Sequence, residues 1–201
     1  MWRGLSAKRD GNAILTLMPD SSAIADTLTF SPEVTERLDR TADWCQRNGQ
    51  RLTETRRLVL GLILSSEKPS GAYDLLARLR PAHPKAAPPT VYRALEFLLE
   101  NSLIHRLERL SAFVGCSHAV ECPHGCNHHD EGGMHRAQFL ICRGCDRAWE
   151  LEQDAIAPVL TRAAQSMGFR AEAATVEIEG LCAACQKAGV TPVRRPKTAA
   201  G

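Results

Sequence analysis

From residue 31 onward the apolar positions recur first at helical spacing and later in alternation. Ser31 followed by Pro32 reads as an N-cap with proline at the first helical position, opening a helix expected to run to the stop at Asn48-Gly49. Thr53 opens a second helix, in which Leu58, Val59, Leu62 and Ile63 fall on one face. A third starts after Ser70, buries Ala72, Leu75, Leu76 and Leu79, and stops at Pro81. Pro84, Pro88 and Pro89 keep the next stretch open until a fourth helix begins at Thr90. It turns Val91, Leu95, Leu98 and Leu99 to the core and leaves Tyr92, Arg93, Glu96 and Glu100 outward. Two strand-like runs, Leu103 to Leu107 and Ala112 to Gly115, then form a hairpin. Three to four helices followed by a hairpin predict a winged helix.

The stretch from Ser117 to Met134 has almost no large apolar residues and three glycines, so it is expected to be a loop. Beyond it the pattern predicts strands at Ala137 to Ile141, Ala148 to Leu151 and Ala174 to Ile178, with an amphipathic helix from Asp154 to Met167. The fold class is therefore α+β. The expected organisation is a winged helix over 31–115, a His/Cys-rich loop over 116–136, and a small α/β domain over 137–188, to which the resemblance described below gives the roles of DNA binding, hinge, and dimerisation with metal binding. Residues 1–30 lack sustained periodicity and read as a disordered leader, or as sequence ahead of a start at Met18; 189–201 read as a disordered basic tail.

Charge sharpens the division. Residues 32–110 hold 13 Lys/Arg against 10 Asp/Glu, whereas 111–187 hold 6 against 10, so an anionic partner suits the first half. The longest apolar run, Leu58 to Leu64, is seven residues, far short of the ~18 that begin to suggest a membrane span. The N-terminal stretch Ala13 to Met18 runs into Pro19 and Asp20 rather than a cleavage site, so no secretory signal is read and a cytoplasmic location is expected. Eight cysteines in a reducing compartment point to metal binding or redox chemistry rather than structural disulfides.

Two cysteine pairs carry the strongest signal. Cys142-Arg143-Gly144-Cys145 and Cys182-Ala183-Ala184-Cys185 each leave two residues between thiols, which lets a turn present both sulfurs to one tetrahedral ion. Four thiolates predict a structural zinc site that joins the ends of the second domain; a redox dithiol is the alternative, but such a motif usually occurs once. A second, looser group comprises Cys116, His118, Cys122, His124, Cys126, His128, His129 and His135, with His105 before it and Glu150 after it. That mixture of soft and borderline ligands suits Zn²⁺, although any single histidine there is more ordinarily a solvated side chain. A zinc hydrolase or deaminase is disfavoured because neither Cys-x-x-Cys is preceded by proline, so the His-x-Glu with Pro-Cys-x-x-Cys signature is missing. On the fourth helix, Thr90, Tyr92 and Arg93 form a DNA-facing candidate: free N–H groups at its start would meet phosphates, and Arg93 would read a purine edge. Alone, an outward Tyr-Arg pair is ordinary surface.

Pro89 to Leu95 resembles the recognition helix of the ferric-uptake-regulator family, and the paired Cys-x-x-Cys motifs resemble that family's structural zinc site. The resemblance covers about Glu33 to Ala188 and is closest to the zinc-uptake branch. It implies a homodimeric, zinc-responsive repressor that binds a pseudo-palindromic double-stranded operator and controls zinc uptake and homeostasis genes. It further implies one structural and one regulatory Zn²⁺ per chain. The sensory roles of that branch fall on His105, Cys116, His135 and Glu150, with His128 or His129 as possible replacements for His135. The hinge loop looks longer than is usual in the family, and His118, Cys122, His124, Cys126, His128 and His129 are candidates for a third ion. The alternatives are an iron- or manganese-sensing member of the family, or a zinc buffer or metallochaperone that uses the loop.

Overall fold

The computed structural model describes residues 28–117, 135–151, 156–171 and 173–192. In chain order its elements are α1 (Pro32–Arg47), α2 (Glu54–Leu64), β1 (Ser70–Gly71), α3 (Ala72–Leu79), α4 (Pro88–Glu100), β2 (Ile104–Leu107), a 3-10 turn (Glu108–Leu110), β3 (Ala112–Gly115), β4 (His135–Cys142), β5 (Ala148–Glu150), α5 (Ile156–Ser166), β6 (Ala173–Gly180) and α6 (Ala183–Lys187).

Local chemistry sets the first boundaries. The Ser31 hydroxyl accepts the Val34 N–H at 3.3 Å, Pro32 opens α1, and Gly49 takes a left-handed φ of 69° just past its end. The glycine inside α2 has a packing reason: a Cβ on Gly61 would come within 2.4 Å of the Phe30 ring, which lies against the helix there.

α4 departs from expectation by beginning at Pro88 rather than Thr90. Two successive prolines fit the first turn because their fixed φ is helical and the missing N–H groups would have no intrahelical partner there. Thr90 completes the start, its N–H reaching the Ala87 carbonyl at 2.8 Å and its Oγ1 accepting the Ala87 N–H at 3.3 Å. β4 likewise starts at His135 and β6 runs on to Gly180, because parallel pairing between them carries both strands past their apolar cores. The short α6 has too few residues to show an apolar period in the sequence; it carries Cys185, and Cys182 stands as its N-cap.

The helices and the first sheet enclose one core, in which Leu38, Val59, Leu75, Leu79, Leu95 and Leu98 are fully buried. That sheet has the order β1-β3-β2, with β2 and β3 antiparallel as the wing. The second sheet has the order β5-β4-β6, where β4 pairs antiparallel with β5 and parallel with β6, and α5 lies in the connection. Its register separates two faces. Phe139 lies between Glu150 and Glu177, and Ile141 between Ala148 and Glu179, on the face toward the wing; Leu107 of β2 joins Phe139 and Ile141 in a small second core. Leu140 lies between Trp149 and Ile178 on the opposite face, where all three are exposed.

Polar contacts bind the two halves. The Glu177 carboxylate accepts the backbone N–H groups of Glu108 and Arg109 at 2.6 and 3.0 Å, so it caps the 3-10 turn between the wing strands. Arg109 reaches Glu179 at 2.7 Å, and Arg147 pairs with Glu67.

Candidate metal centres

Among the described residues, two groups of side chains place their ligand atoms within 4.8 Å of one another: Cys142, Cys145, Cys182 and Cys185, and His105, Cys116 and Glu150.

The first group forms where β4 and β6 end side by side. Cys142 is the last residue of β4, paired with Gly180, and the chain beyond each strand turns back with a Cys-x-x-Cys. The first turn needs Gly144: a Cβ there would sit 2.9 Å from Cys185 Sγ. Asp146 closes it in a left-handed conformation, φ 61°. Backbone N–H groups of Gly144 and Cys182 point at Cys142 Sγ from 3.4 and 3.3 Å, and the Cys145 and Cys182 sulfurs are 3.9 Å apart. Burial works against a thiolate at Cys142, but the backbone donors of Cys182, Cys145 and Gly144 outweigh it and draw its pKa down to about 6. Hydrogen bonding to Cys182 and burial push Cys185 up to about 12. Four convergent thiols with N–H donors already aimed at one sulfur fit a closed, tetrahedral zinc site.

The second group joins the two halves. His105 stands on β2, Cys116 directly follows β3, and Glu150 ends β5. His105 is 6% exposed and Cys116 2%. The imidazole packs on Phe139 with ring centroids 5.3 Å apart, and its Nε2 is 3.3 Å from Glu150 Oε1. Burial disfavours the imidazolium, but hydrogen bonding and charge from Cys116 and Glu150 prevail and raise His105 to about 9. Burial also opposes the Glu150 carboxylate, yet His105 and Ser117 hold its pKa down at about 2. A buried cluster arranged to favour positive charge between a thiol, an imidazole and a carboxylate fits a dication of zinc's ligand preferences.

His135 opens β4, its backbone paired with Ala173; its side chain lies outside the described part. His118, Cys122, His124, Cys126, His128 and His129 also lie outside the described residues. Three contributors escaped sequence reasoning. Arg37 of α1 donates from Nη2 to the Cys116 carbonyl at 3.1 Å, Ser117 donates twice to Glu150, and Glu177 caps the wing turn. Contacts between residues 33 to 79 positions apart leave no local pattern.

On α4, Arg93 is exposed and Tyr92 half-exposed in the second turn, whereas Thr90, in the first, is half-buried and engaged with Ala87. The expectation of several free N–H groups at this helix start needs correcting. Pro88 and Pro89 have none, and the Thr90 N–H is already bonded, so the start of this helix offers no cradle of free N–H groups.

Comparison with known proteins places these features. The model of the ferric uptake regulator family matches residues 47–179. The zinc uptake regulation protein of Escherichia coli (strain K12) is 37% identical over 141 residues, covering 70% of this chain and 76% of that protein. A zinc uptake regulator solved with zinc and DNA superposes with a TM-score of 0.70 at 34% identity, covering 79% of this chain and 99% of that one. The crystal structure of holo XcZur superposes at 0.63 with 39% identity, covering 76% and 98%.

Proposed function

The chain belongs to the ferric uptake regulator family, and from that membership we propose that it is a zinc-responsive, DNA-binding transcriptional repressor controlling zinc uptake and homeostasis genes. It works as a cytoplasmic homodimer and is not an enzyme. The observation that carries the reading is the convergence of His105, Cys116 and Glu150 from both halves onto one point. A histidine, a thiolate and one carboxylate suit zinc better than the harder manganese or iron ions, for which oxygen-rich sites are usual.

We assign Cys142, Cys145, Cys182 and Cys185 to a structural zinc, and His105, Cys116 and Glu150 to a sensory one, with a fourth ligand from His135, His128 or His129. When bound, the sensory ion supplies a single tie across the hinge. His105 and Cys116 bracket the wing, so their position follows the winged helix; Glu150 belongs to the second sheet, so its position follows the dimer. Drawing the three together sets the angle at which Tyr92 and Arg93 are presented. Leu140, Trp149 and Ile178, exposed on the outer face of that sheet, and Val159 and Leu160, exposed on α5, offer the apolar surface for a second copy. A twofold dimer reads a pseudo-palindrome only when its recognition helices match half-sites about one helical turn, or a multiple, apart. Moving the competent state from about 1:99 to 99:1 takes roughly 5.5 kcal/mol of differential binding, a modest share of what a strong zinc site provides.

No helix among the described residues is long and apolar enough to cross a membrane. The test is metal analysis of the purified dimer joined to a gel-shift titration of a zinc-uptake promoter against buffered free zinc. The expected result is two zinc ions per chain at saturation and operator binding that rises with occupancy of the second. Equal operator binding by chelated and saturated protein would refute the reading.

A further inference from the structure

The two oxygens of the Glu150 carboxylate keep different company. Oε1 faces His105 Nε2 at 3.3 Å, within the group that also holds Cys116. Oε2 accepts two hydrogen bonds from one residue, the Ser117 N–H at 3.1 Å and the Ser117 hydroxyl at 2.5 Å. The second has the short length expected of a hydroxyl donating to an ionised carboxylate. Ser117 directly follows Cys116, so a single dipeptide both brings the thiol and orients the carboxylate. Its backbone is anchored in turn, because Arg37 of α1 grips the Cys116 carbonyl at 3.1 Å.

We propose that Ser117 is a positioning residue that confines Glu150 to one-oxygen ligation and so biases the hinge site toward four-coordinate zinc over manganese. The inference rests on the reading of His105, Cys116 and Glu150 as the sensory ligands. A carboxylate with both oxygens free can clasp a hard cation through two bonds and raise its coordination number. Tetrahedral zinc asks for one oxygen only. With Oε2 held by two donors, two-oxygen ligation must first break both bonds and leave the Ser117 hydroxyl and N–H to find other partners. That cost falls on manganese and spares zinc.

Full-length Ser117→Ala and Ser117→Thr variants test the proposal against the unsubstituted chain, with the cysteine quartet kept in zinc and the hinge site loaded with Co²⁺, Zn²⁺ or Mn²⁺. The visible Co²⁺ spectrum reads coordination number, since four-coordinate cobalt absorbs far more strongly than six-coordinate. Chelator competition reads the affinities. The unsubstituted chain and Ser117→Thr should show the intense four-coordinate bands and a strong preference for Zn²⁺. Ser117→Ala should lose band intensity and bind Zn²⁺ roughly 10–100-fold more weakly, the usual cost of removing a ligand's hydrogen-bond partner, without a matching loss for Mn²⁺. One zinc per chain and the dimer should persist in every variant. A Ser117→Ala protein with unchanged bands, or with equal losses for both ions, overturns the proposal and leaves Ser117 as hinge packing. A different failure separates the underlying reading: should the unsubstituted chain and Cys116→Ala take up the same number of ions, there is no sensory site for Ser117 to shape.

Discussion

At the level of single residues, Cys116 carries the most consequence for the least volume. It is buried, adjacent to the wing, and grouped with His105 and Glu150, so removing its sulfur takes away a proposed ligand without opening a large cavity. Cys116→Ala is expected to keep the dimer and one tightly held zinc per chain. Its hinge-site zinc affinity should fall by more than the roughly 10–100-fold that losing a mere hydrogen-bond partner of a ligand costs. Inductively coupled plasma metal counts and a zinc-dependent gel shift check this, and operator binding that still follows free zinc in the variant would remove Cys116 from the sensory role. The cysteine quartet could be read from sequence because Cys-x-x-Cys is a local geometric device, repeated twice. Arg37, Ser117 and Glu177 could not. An arginine, a serine and a glutamate are ordinary surface residues until tertiary contact gives each a partner far along the chain.

Among the elements, α4 was legible in its faces but not in its start. The spacing of Val91, Leu95 and Leu98 identified the buried stripe, and Tyr92 and Arg93 are outward as that stripe requires. Prolines mark a helix start as readily as a break, and here they initiate α4 two residues before Thr90 and leave no N–H cradle at its start. On the proposed function, recognition falls more heavily on side chains, Arg93 foremost. Arg93→Ala should reduce discrimination between the operator and a base-substituted variant by about 1–3 kcal/mol per half-site, the value of one bidentate guanine contact, while nonspecific binding and thermal stability change little. Competition gel shifts with paired oligonucleotides measure it, and unaltered discrimination would take Arg93 out of base reading. The second sheet shows the converse. Its strands were found, but the parallel pairing of β4 with β6 was not, since alternation reveals a strand's faces and not its neighbours. That pairing brings the two cysteine pairs together and turns Glu177 and Glu179 toward the wing, where β5, antiparallel on the other side of β4, adds Glu150.

Across the whole molecule the two halves are stabilised unequally. The winged-helix half has a continuous core running from Val34 to Cys116, with helices that cover it on several sides. Among the described residues, the second half contributes Phe139 and Ile141, with half-buried Ala148 against them, to a small cluster completed by Leu107 from the wing, and its outer face exposes Leu140, Trp149 and Ile178. Burying each such side chain is worth roughly 1.5–3 kcal/mol, so the described core alone holds this half weakly. On the proposed assignment, a four-thiolate zinc, whose apparent binding energy reaches roughly 10–16 kcal/mol in small zinc domains, and the dimer contact supply the larger share. Stripping both metal classes with a strong chelator under reducing conditions is therefore expected to melt the second half and dissociate the dimer, with the winged helix still folded. Hydrogen exchange should show residues 135–190 losing protection first and α2 and α4 keeping theirs, whereas a mild chelator that empties only the hinge should leave both halves protected. A single transition in which α2 and the β4–β6 pair lose protection together would mean that the halves share one cooperative unit, and that the contacts of Glu177 with the wing turn and of Arg147 with Glu67 couple them more strongly than their two separate cores imply.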